Sequence, residues 1–428
     1  MRIAFLAPEF YHAWGGVGSY SLALIRGLMA LPGLEIHVIT PDVQDEQRKA
    51  SVDQMFNKQV HIHTISLAKD TFVYNLKFQT ALWSGFRRLH RTFGFDLVHA
   101  ANLVHMPDIF LKFKKADIPS IVTVHTTIRG QVSGSLLSRT PFFRMAPSER
   151  LSLLAYPYIR LMERHYMKKT DAAIAVSSRY QTILRKDYGF RGPVKVIHNS
   201  IDLAAYRKRR WTQGRCERLF PALHDRKKTT VLFAGRLIAL KGIDILMRAI
   251  AELEATGTHY TYLLAGRGDS RFLSELRHRH GADHADIRYL GHVDNSLLPA
   301  LYASADLFVL PSFTENLPIT LMEAQASGCV PIASDVGSVD EIIDDGSDGI
   351  LVQPGHHLQL AAAIRLLGED SSLRERLARE GRRNARRFDV KDMARKTHAF
   401  YEKILAAHPS RSKKKAGSRN KADRRRRP

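Results

Sequence analysis

The chain has 428 residues, too many for one ordinary core, so two domains plus a tail are expected. Hydrophobic residues make up 44% and charged residues 25%, a soluble globular balance, and the absence of any run of 18 apolar residues argues against a spanning helix. A formal net charge of +23 calls for an anionic partner: nucleic acid, an anionic bilayer or a phosphorylated substrate, among which composition does not choose.

The opening MRIAFLAPEF has too short an apolar segment for a signal peptide and reads as a first strand, Ile3 to Ala7. The loop Pro8 to Gly18 and a helix, Ser19 to Leu31, follow it. Further strands are expected at Glu35 to Thr40, Val60 to Ile65, Leu97 to Ala100, Ser120 to His125, Ala172 to Val176 and Val194 to His198, with helical stretches between most of them. This alternation signals a wound α/β sheet. His61 and His63 alternate on one strand and read as ordinary strand residues rather than metal ligands. The segment Leu136 to Met167 is aromatic, apolar and interleaved with arginines. It fits either a helical insertion packed on its own domain or a stretch lying on an anionic membrane.

From Asn199 to Thr229 the chain is polar and basic, with Arg207 to Arg210 and Arg226 to Lys228 as charge runs, and it reads as a linker. The alternation restarts with strands at Thr230 to Phe233, Tyr260 to Ala265, Ile287 to Leu290, Leu307 to Leu310, Val330 to Ala333 and Gly349 to Val352. Helices are expected at Gly242 to Ala255, Ser270 to His280, Leu317 to Ser327 and Leu358 to Leu367. The fold class is therefore α/β, two Rossmann-like domains, with a ligand expected beyond the carboxyl ends of the strands in a cleft between them. Expected boundaries are 1–200 for the first domain, 201–229 for the linker, 230–387 for the second domain and 388–408 for a final helix. The stretch 409–428 is expected to be a disordered basic tail, with ten Lys or Arg against Asp423. The two cysteines, Cys216 and Cys329, have no framework spacing and fit a reducing compartment, so the cytoplasm is expected.

Chemistry concentrates in Pro311 to Pro331. A buried strand leads into a loop with Glu315, then a helix with Pro318 in its first turn and Gly328 as its stop. Asn316, Thr320, Glu323 and Ser327 make one polar stripe in which Glu323 is the only charge, which suits the wall of a cleft. The bland alternative is a half-buried helix whose glutamate pairs locally. Glu315 and Glu323 lie eight residues apart, about 12 Å at helical rise, too far for a close carboxylate pair but suited to two ends of an elongated ligand. Gly15 and Gly16 precede a helix that could receive a phosphate. Arg236 and Lys241 flank another helix start, where two cations oppose the dipole unless a diphosphate neutralises them; surface salt bridging is the alternative. His125 ends the apolar strand IVTVH. There is no Walker sequence, no Cys-x-x-Cys, no HExxH, no G-x-S-x-G and no Asp-x-Asp, so no dedicated metal–nucleotide site is expected.

GGVGSY, TVHTT, AVSSRY, VIHNSID, LFAGRLIALKGID, YLLAGRGD, IRYLGHV and PSFTENLPITLMEAQASGCVPIASDVGSVDEII occur in the order seen in GT-B glycosyltransferases of family 4 (glycosyl transferases group 1), which the chain resembles from about Arg2 to Leu405. Glu315 and Glu323 match that family's E-x7-E motif. The resemblance implies retaining, metal-independent transfer of a sugar from a nucleotide diphosphate sugar, with no cofactor. It implies that Arg236 and Lys241 bind the donor diphosphate and that Gly16 offers its backbone to the distal phosphate. Glu323 would hold ribose hydroxyls, Glu315 would lie at the donor sugar, His125 at the reacting sugar, and Val293 where backbone reads the base. The family's usual E-G-F-G is Glu315-Asn316-Leu317-Pro318 here, so phosphate contacts would come from Ile319 and Thr320. Asn199-Ser200, Ser338 and Gln325 also depart from the common pattern. The final helix would cross back to the first domain, and the acceptor would be lipid-linked, phosphorylated or a saccharide. The basic segment 126–228 and the tail 409–428 could meet an anionic membrane on its inner face. A nucleotide-sugar epimerase or phosphorylase on a related fold, and a polyanion-binding protein, are the rival readings.

Overall fold

The computed structural model describes residues 1–11, 16–56, 59–67, 73–113, 118–137, 142, 145, 147–207, 211–220 and 228–408. The tail 409–428, most of the charge runs Arg207 to Arg210 and Arg226 to Lys228, Gly15 and Arg144 lie outside these residues. The chain forms two compact units, one of Met1–Thr127, Pro157–His198 and the segment from Lys391, the other of Ile128–Tyr156 and Asn199–Val390.

The first unit holds a seven-stranded sheet: β1 (Arg2–Leu6), β2 (Glu35–Asp42), β3 (His61–Leu67), β4 (Leu97–Ala100), β5 (Ser120–Val124), β6 (Ala172–Ala175) and β7 (Val194–Val196). Its order is β3-β2-β1-β4-β5-β6-β7, and every pairing is parallel. The short apolar runs read from the sequence are these strands, and β4, β5 and β6 are buried along their whole length. Parallel strands buried on both faces lose the in–out alternation and read as continuous apolar runs. One side of the sheet packs Ala4, Leu6, Ile39 and Val98 against Phe78, Leu82 and Phe86 of the helix Val73–Phe93. Elsewhere Val122, Val124, Ala173 and Ala175 meet Tyr166, Met167, Tyr180 and Leu184. Helix Val390–Ala407 brings the fully buried Tyr401 to this unit, its hydroxyl 2.5 Å from His99 Nδ1.

Several polar groups inside this unit are linked by hydrogen bonds. His99 Nε2 lies 2.8 Å from Thr123 Oγ1, which is 2.9 Å from the Tyr20 hydroxyl. Toward the β3 edge of the sheet, His37 on β2 is fully buried, 2.9 Å from His63 Nε2 through Nδ1 and 3.1 Å from Glu35 Oε1 through Nε2. Burial lowers the pKa of His37, and burial with the neighbouring His37 and His61 rings lowers that of His63 to about 4.

The second unit repeats the plan with β8 (Thr230–Ala234), β9 (Thr261–Ala265), β10 (Asp286–Gly291), β11 (Leu307–Leu310), β12 (Val330–Ser334) and β13 (Ile350–Val352). The order β10-β9-β8-β11-β12-β13, again parallel throughout, is that of a six-stranded Rossmann sheet. Helices Ile243–Ala255 and His357–Glu369 cover it through Ile243, Leu246, Ile250, Leu360 and Ile364. The sequence reading missed helix Gln213–Leu219, inside the polar stretch that reads as a linker, and Ser371–Asn384, whose charged surface hides a single buried row at Leu377 and Gly381. The described residues of the segment Leu136 to Met167 fall mainly in three helices, Ile128–Leu137, Pro147–Leu154 and Tyr156–Lys168.

Candidate active site

In the second unit the strand ends are drawn together by glycines. Gly235 follows β8 and donates its N–H to Ala265 at 2.9 Å, and Gly266 after β9 donates to Gly291 at 2.7 Å. A Cβ on Gly266 would stand 1.9 Å from the Gly235 carbonyl oxygen. Arg236 and Lys241 leave from this edge. Gly242, at φ 68°, closes the turn Ala239–Lys241 and starts helix Ile243–Ala255; a side chain there would meet the Pro311 carbonyl at 1.8 Å. That close approach carries the Lys241 turn against the loop after β11, where Phe313 N–H donates to the Leu240 carbonyl at 2.9 Å.

The juxtaposed side chains are an ion pair. Lys241 Nζ lies 2.5 Å from Glu315 Oε1, which also accepts from Ser312 Oγ at 2.7 Å. The pair is half-buried, so it is screened less than a surface pair and positions the glutamate firmly. Arg236 is exposed and, among the described residues, has no carboxylate partner. Behind the loop, Gly337 at φ 65° permits the Ser338 N–H to reach the Asn316 carbonyl at 3.0 Å, since a Cβ on Gly337 would stand 1.7 Å from the Glu315 carbonyl.

The helix starts at Ile319, two residues later than expected, with Pro318 as its cap at φ −69° and ψ 121°. Proline without an N–H fits that cap as well as the first turn. It leaves the first-turn N–H groups, those of Ile319 and Thr320, outside intrahelical bonding. Gly328 ends the helix in the left-handed conformation, as expected. Glu323 and Ser327 are buried, while Thr320 is half-buried. Burial raises the Glu323 pKa, and the nearby phenols of Tyr206 and Tyr302 oppose the rise. Tyr206 donates to Glu323 Oε1 at 2.6 Å, so this carboxylate does pair within its own unit. Val293 stands half-buried, two residues beyond β10.

Sequence reasoning missed Tyr206 and Ser312 and named Asn199 only as a departure from the family pattern, with no role. Asn199 Nδ2 donates to the Leu317 carbonyl at 2.8 Å and Tyr206 holds Glu323, yet both lie in the irregular stretch where no period marks them. The signal for Ser312 was its place between a buried strand and Glu315.

In the first unit, Gly16 is the exposed first residue of helix Gly16–Met29, with open space where a Cβ would go. His125 follows β5 and is buried, its ring edge-on to Tyr20 with centroids 4.3 Å apart. Nε2 of His125 is buried without a hydrogen-bond partner. Desolvation above all, then the charge of His105, lowers its pKa to about 3, against a weaker upward pull from the Ala101 backbone. The ring is therefore neutral and offers one unsatisfied nitrogen.

Comparison with known proteins decides the family. The model described as Glycosyltransferase Family 4 matches residues 14–205, and that described as Glycosyl transferases group 1 matches residues 217–384. The chain is a family 4 glycosyltransferase. Glycogen synthase of Mycobacterium tuberculosis is 28% identical to this glycosyltransferase, covering 94% of each chain. A phosphatidyl-myo-inositol mannosyltransferase of Mycobacterium leprae is 26% identical over 95% of this chain and 98% of its own. Among solved structures, sucrose-phosphate synthase from Thermosynechococcus elongatus aligns with a TM-score of 0.78 at 20% identity, covering 95% of this chain and 100% of its own. HepE of Anabaena in complex with UDP-glucose aligns with a TM-score of 0.72 at 20% identity, covering 94% and 100%. The glycosyltransferase has the GT-B fold. Among its described residues, no helix is long and apolar enough to cross a membrane.

Proposed function

We propose that this glycosyltransferase moves a sugar from a nucleotide diphosphate sugar to a lipid-linked, phosphorylated or saccharide acceptor, with retention and without a metal, in the synthesis of cell-envelope glycan or glycolipid. The observation that carries this reading is the Lys241–Glu315 pair beside the adjoining strands β8 and β11, with Arg236 two residues beyond β8 and the buried Glu323 in the helix that follows the Glu315 loop. Lys241, held by Glu315, and the exposed Arg236 stabilise charge as it grows on a leaving diphosphate, and preorganised charge stabilisation dominates the rate enhancement of many enzymes. The leaving phosphate can then take the acceptor proton on the same face, which gives retention and leaves no step that needs a general base. The first-turn N–H groups of Ile319 and Thr320 add donors for phosphate oxygens, and the exposed start of the Gly16 helix adds another. Glu323 binds the ribose hydroxyls, Glu315 the donor sugar, and Val293 backbone the base. His125, neutral and with Nε2 unsatisfied, accepts from or donates to a hydroxyl of the reacting sugar. A nucleotide-sugar donor is supported by HepE, solved with UDP-glucose.

For the acceptor, the relatives' names include both a glycogen synthase and a phosphatidylinositol mannosyltransferase, a saccharide and a lipid. Exposed Leu136, Leu137 and Leu154 in the second unit support a peripheral site on the inner face of an anionic membrane. The protein is then cytoplasmic and membrane-associated.

The test is turnover of UDP-, GDP- and ADP-sugars, read as nucleotide release in the presence of acceptor extracts. The donor is chosen first by its ability to raise the unfolding temperature. Lys241→Ala and Glu315→Gln should each lower transfer by about 10²–10³-fold with little change in unfolding temperature. Wild-type turnover in either variant refutes the assignment. Donor conversion without acceptor would indicate an epimerase, and dependence on inorganic phosphate a phosphorylase.

A further inference from the structure

Away from the candidate active site, Glu35, His37 and His61 bring one carboxylate and two imidazoles together, with their ligand atoms all within 4.8 Å of one another. We propose that these three residues form a binding site for a divalent transition metal of the zinc class at the amino-terminal ends of β2 and β3. One carboxylate oxygen and two imidazole nitrogens are a donor set suited to tetrahedral zinc, with water as the fourth ligand. Register supplies the placement. His37 and His61 are Cα partners on adjacent parallel strands, and their rings stack at 4.6 Å and 20°. Glu35 lies two residues before His37 on the same strand, so both point to one face.

The distances already favour an ion. His37 Nε2 and Glu35 Oε1 are 3.1 Å apart, close to the roughly 3.3 Å that two ligands span about a tetrahedral zinc at 2.0–2.1 Å. His61 is exposed on the edge strand and free to turn its ring the remaining distance.

Ligand orientation is also provided. His37 Nδ1 faces His63 Nε2 at 2.9 Å, the outer hydrogen bond that fixes the tautomer of a metal-bound histidine. Arg2 Nε donates to the other Glu35 oxygen at 2.7 Å. Phe93 lies 4.6 Å from the His37 ring and 5.0 Å from His63, and Phe95 5.1 Å from His37, so the inner side is apolar while Glu35 and His61 leave an entry from solvent. Gly16 and His125 lie at the opposite, carboxyl ends of the strands of this sheet. A metal here therefore pins the edge strand β3 to β2 and takes no part in transfer.

The experiment uses the full chain, stripped with chelator and titrated with zinc alone, with calorimetry for stoichiometry and thermal unfolding as a second readout. Wild type should bind one zinc at micromolar concentration or below, with a rise in unfolding temperature. His61→Ala, at an exposed position that leaves the core untouched, should weaken binding by about 100-fold or more and abolish the thermal shift. His63→Ala should weaken it by about 10–100-fold while leaving all three ligands in place. His37→Gln is not relied on, because that buried ring also packs the sheet. No stoichiometric binding by wild type, or binding by His61→Ala equal to wild type through other histidines, overturns the site.

Discussion

The carboxyl ends of the two parallel sheets carry the same kind of residue in opposite states. In the second unit three of the charged groups are held by partners, Lys241 and Glu315 by each other and Glu323 by Tyr206. In the first unit His125 is uncharged, buried and left with an unpaired nitrogen. The backbones differ in the same sense. Gly242, Gly266 and Gly337 each sit where a Cβ would come within 2 Å of a carbonyl oxygen, whereas Gly16 faces open space. A charge constellation needs its loops locked, because a half-buried ion pair loses its geometry if either strand end shifts. A neutral ring is positioned by packing against Tyr20 and a hydrogen bond with the Ala101 backbone, and needs no such closure.

Alanine at the glycines should break that comparison most visibly. Gly242→Ala and Gly337→Ala combine a left-handed φ with a collision against backbone, and each should destabilise the protein by about 3 kcal/mol or more, read from urea unfolding. Gly16→Ala meets neither obstacle and should leave stability within about 1 kcal/mol of wild type. If it nevertheless lowers transfer, the loss comes from crowding a ligand that approaches its backbone. Equal destabilisation at Gly16 and Gly242 would remove the distinction between the two strand ends.

Tyr206→Phe sharpens the second contrast, between a satisfied and an unsatisfied buried polar group. The ring and its packing beside Tyr302 remain, but Glu323 Oε1 loses its 2.6 Å donor inside a site whose burial already raises the carboxyl pKa. A loss of about 2 kcal/mol is expected, the scale of stranding a buried acceptor. An unchanged unfolding midpoint would mean that Glu323 is solvated, contrary to its burial.

Legibility followed the same division. The thirteen strands of the described residues and the two Rossmann-like domains could be read in advance, because strands of a parallel sheet read as short apolar runs between helices, whereas the GT-B plan came from the resemblance of the motifs. The turn at Gly328 was legible because glycine at a helix end has one common use. What stayed hidden depends on contacts far apart in sequence. Nothing near Tyr206 announces that it will reach Glu323, and nothing in an isolated His61 announces that register sets it against His37. Likewise, the sequence alone offers a diphosphate or surface salt bridging for Lys241 and does not name Glu315, the partner delivered by the close approach at Gly242.

The smallest expected effect concerns pH and tests whether the first unit holds its histidines neutral. Burial lowers the pKa of both His99 and His125 to about 3 in the folded chain, well below the ordinary value near 6.5 that the unfolded chain recovers. Between those values the unfolded state binds more protons, so stability is undiminished above about pH 6.5 and falls as the pH drops toward 3. Replacing one such ring with a side chain that does not titrate should flatten the decline. His125→Asn should therefore lose less stability than wild type between pH 6 and pH 5, by about 1 kcal/mol, measured as the difference in urea unfolding free energy. The comparison of slopes cancels the contributions of the other histidines and of the carboxylates, which both proteins share. Parallel slopes would mean that the ring titrates in the folded state and that its unpaired nitrogen is open to water, as the nitrogens of an exposed histidine are.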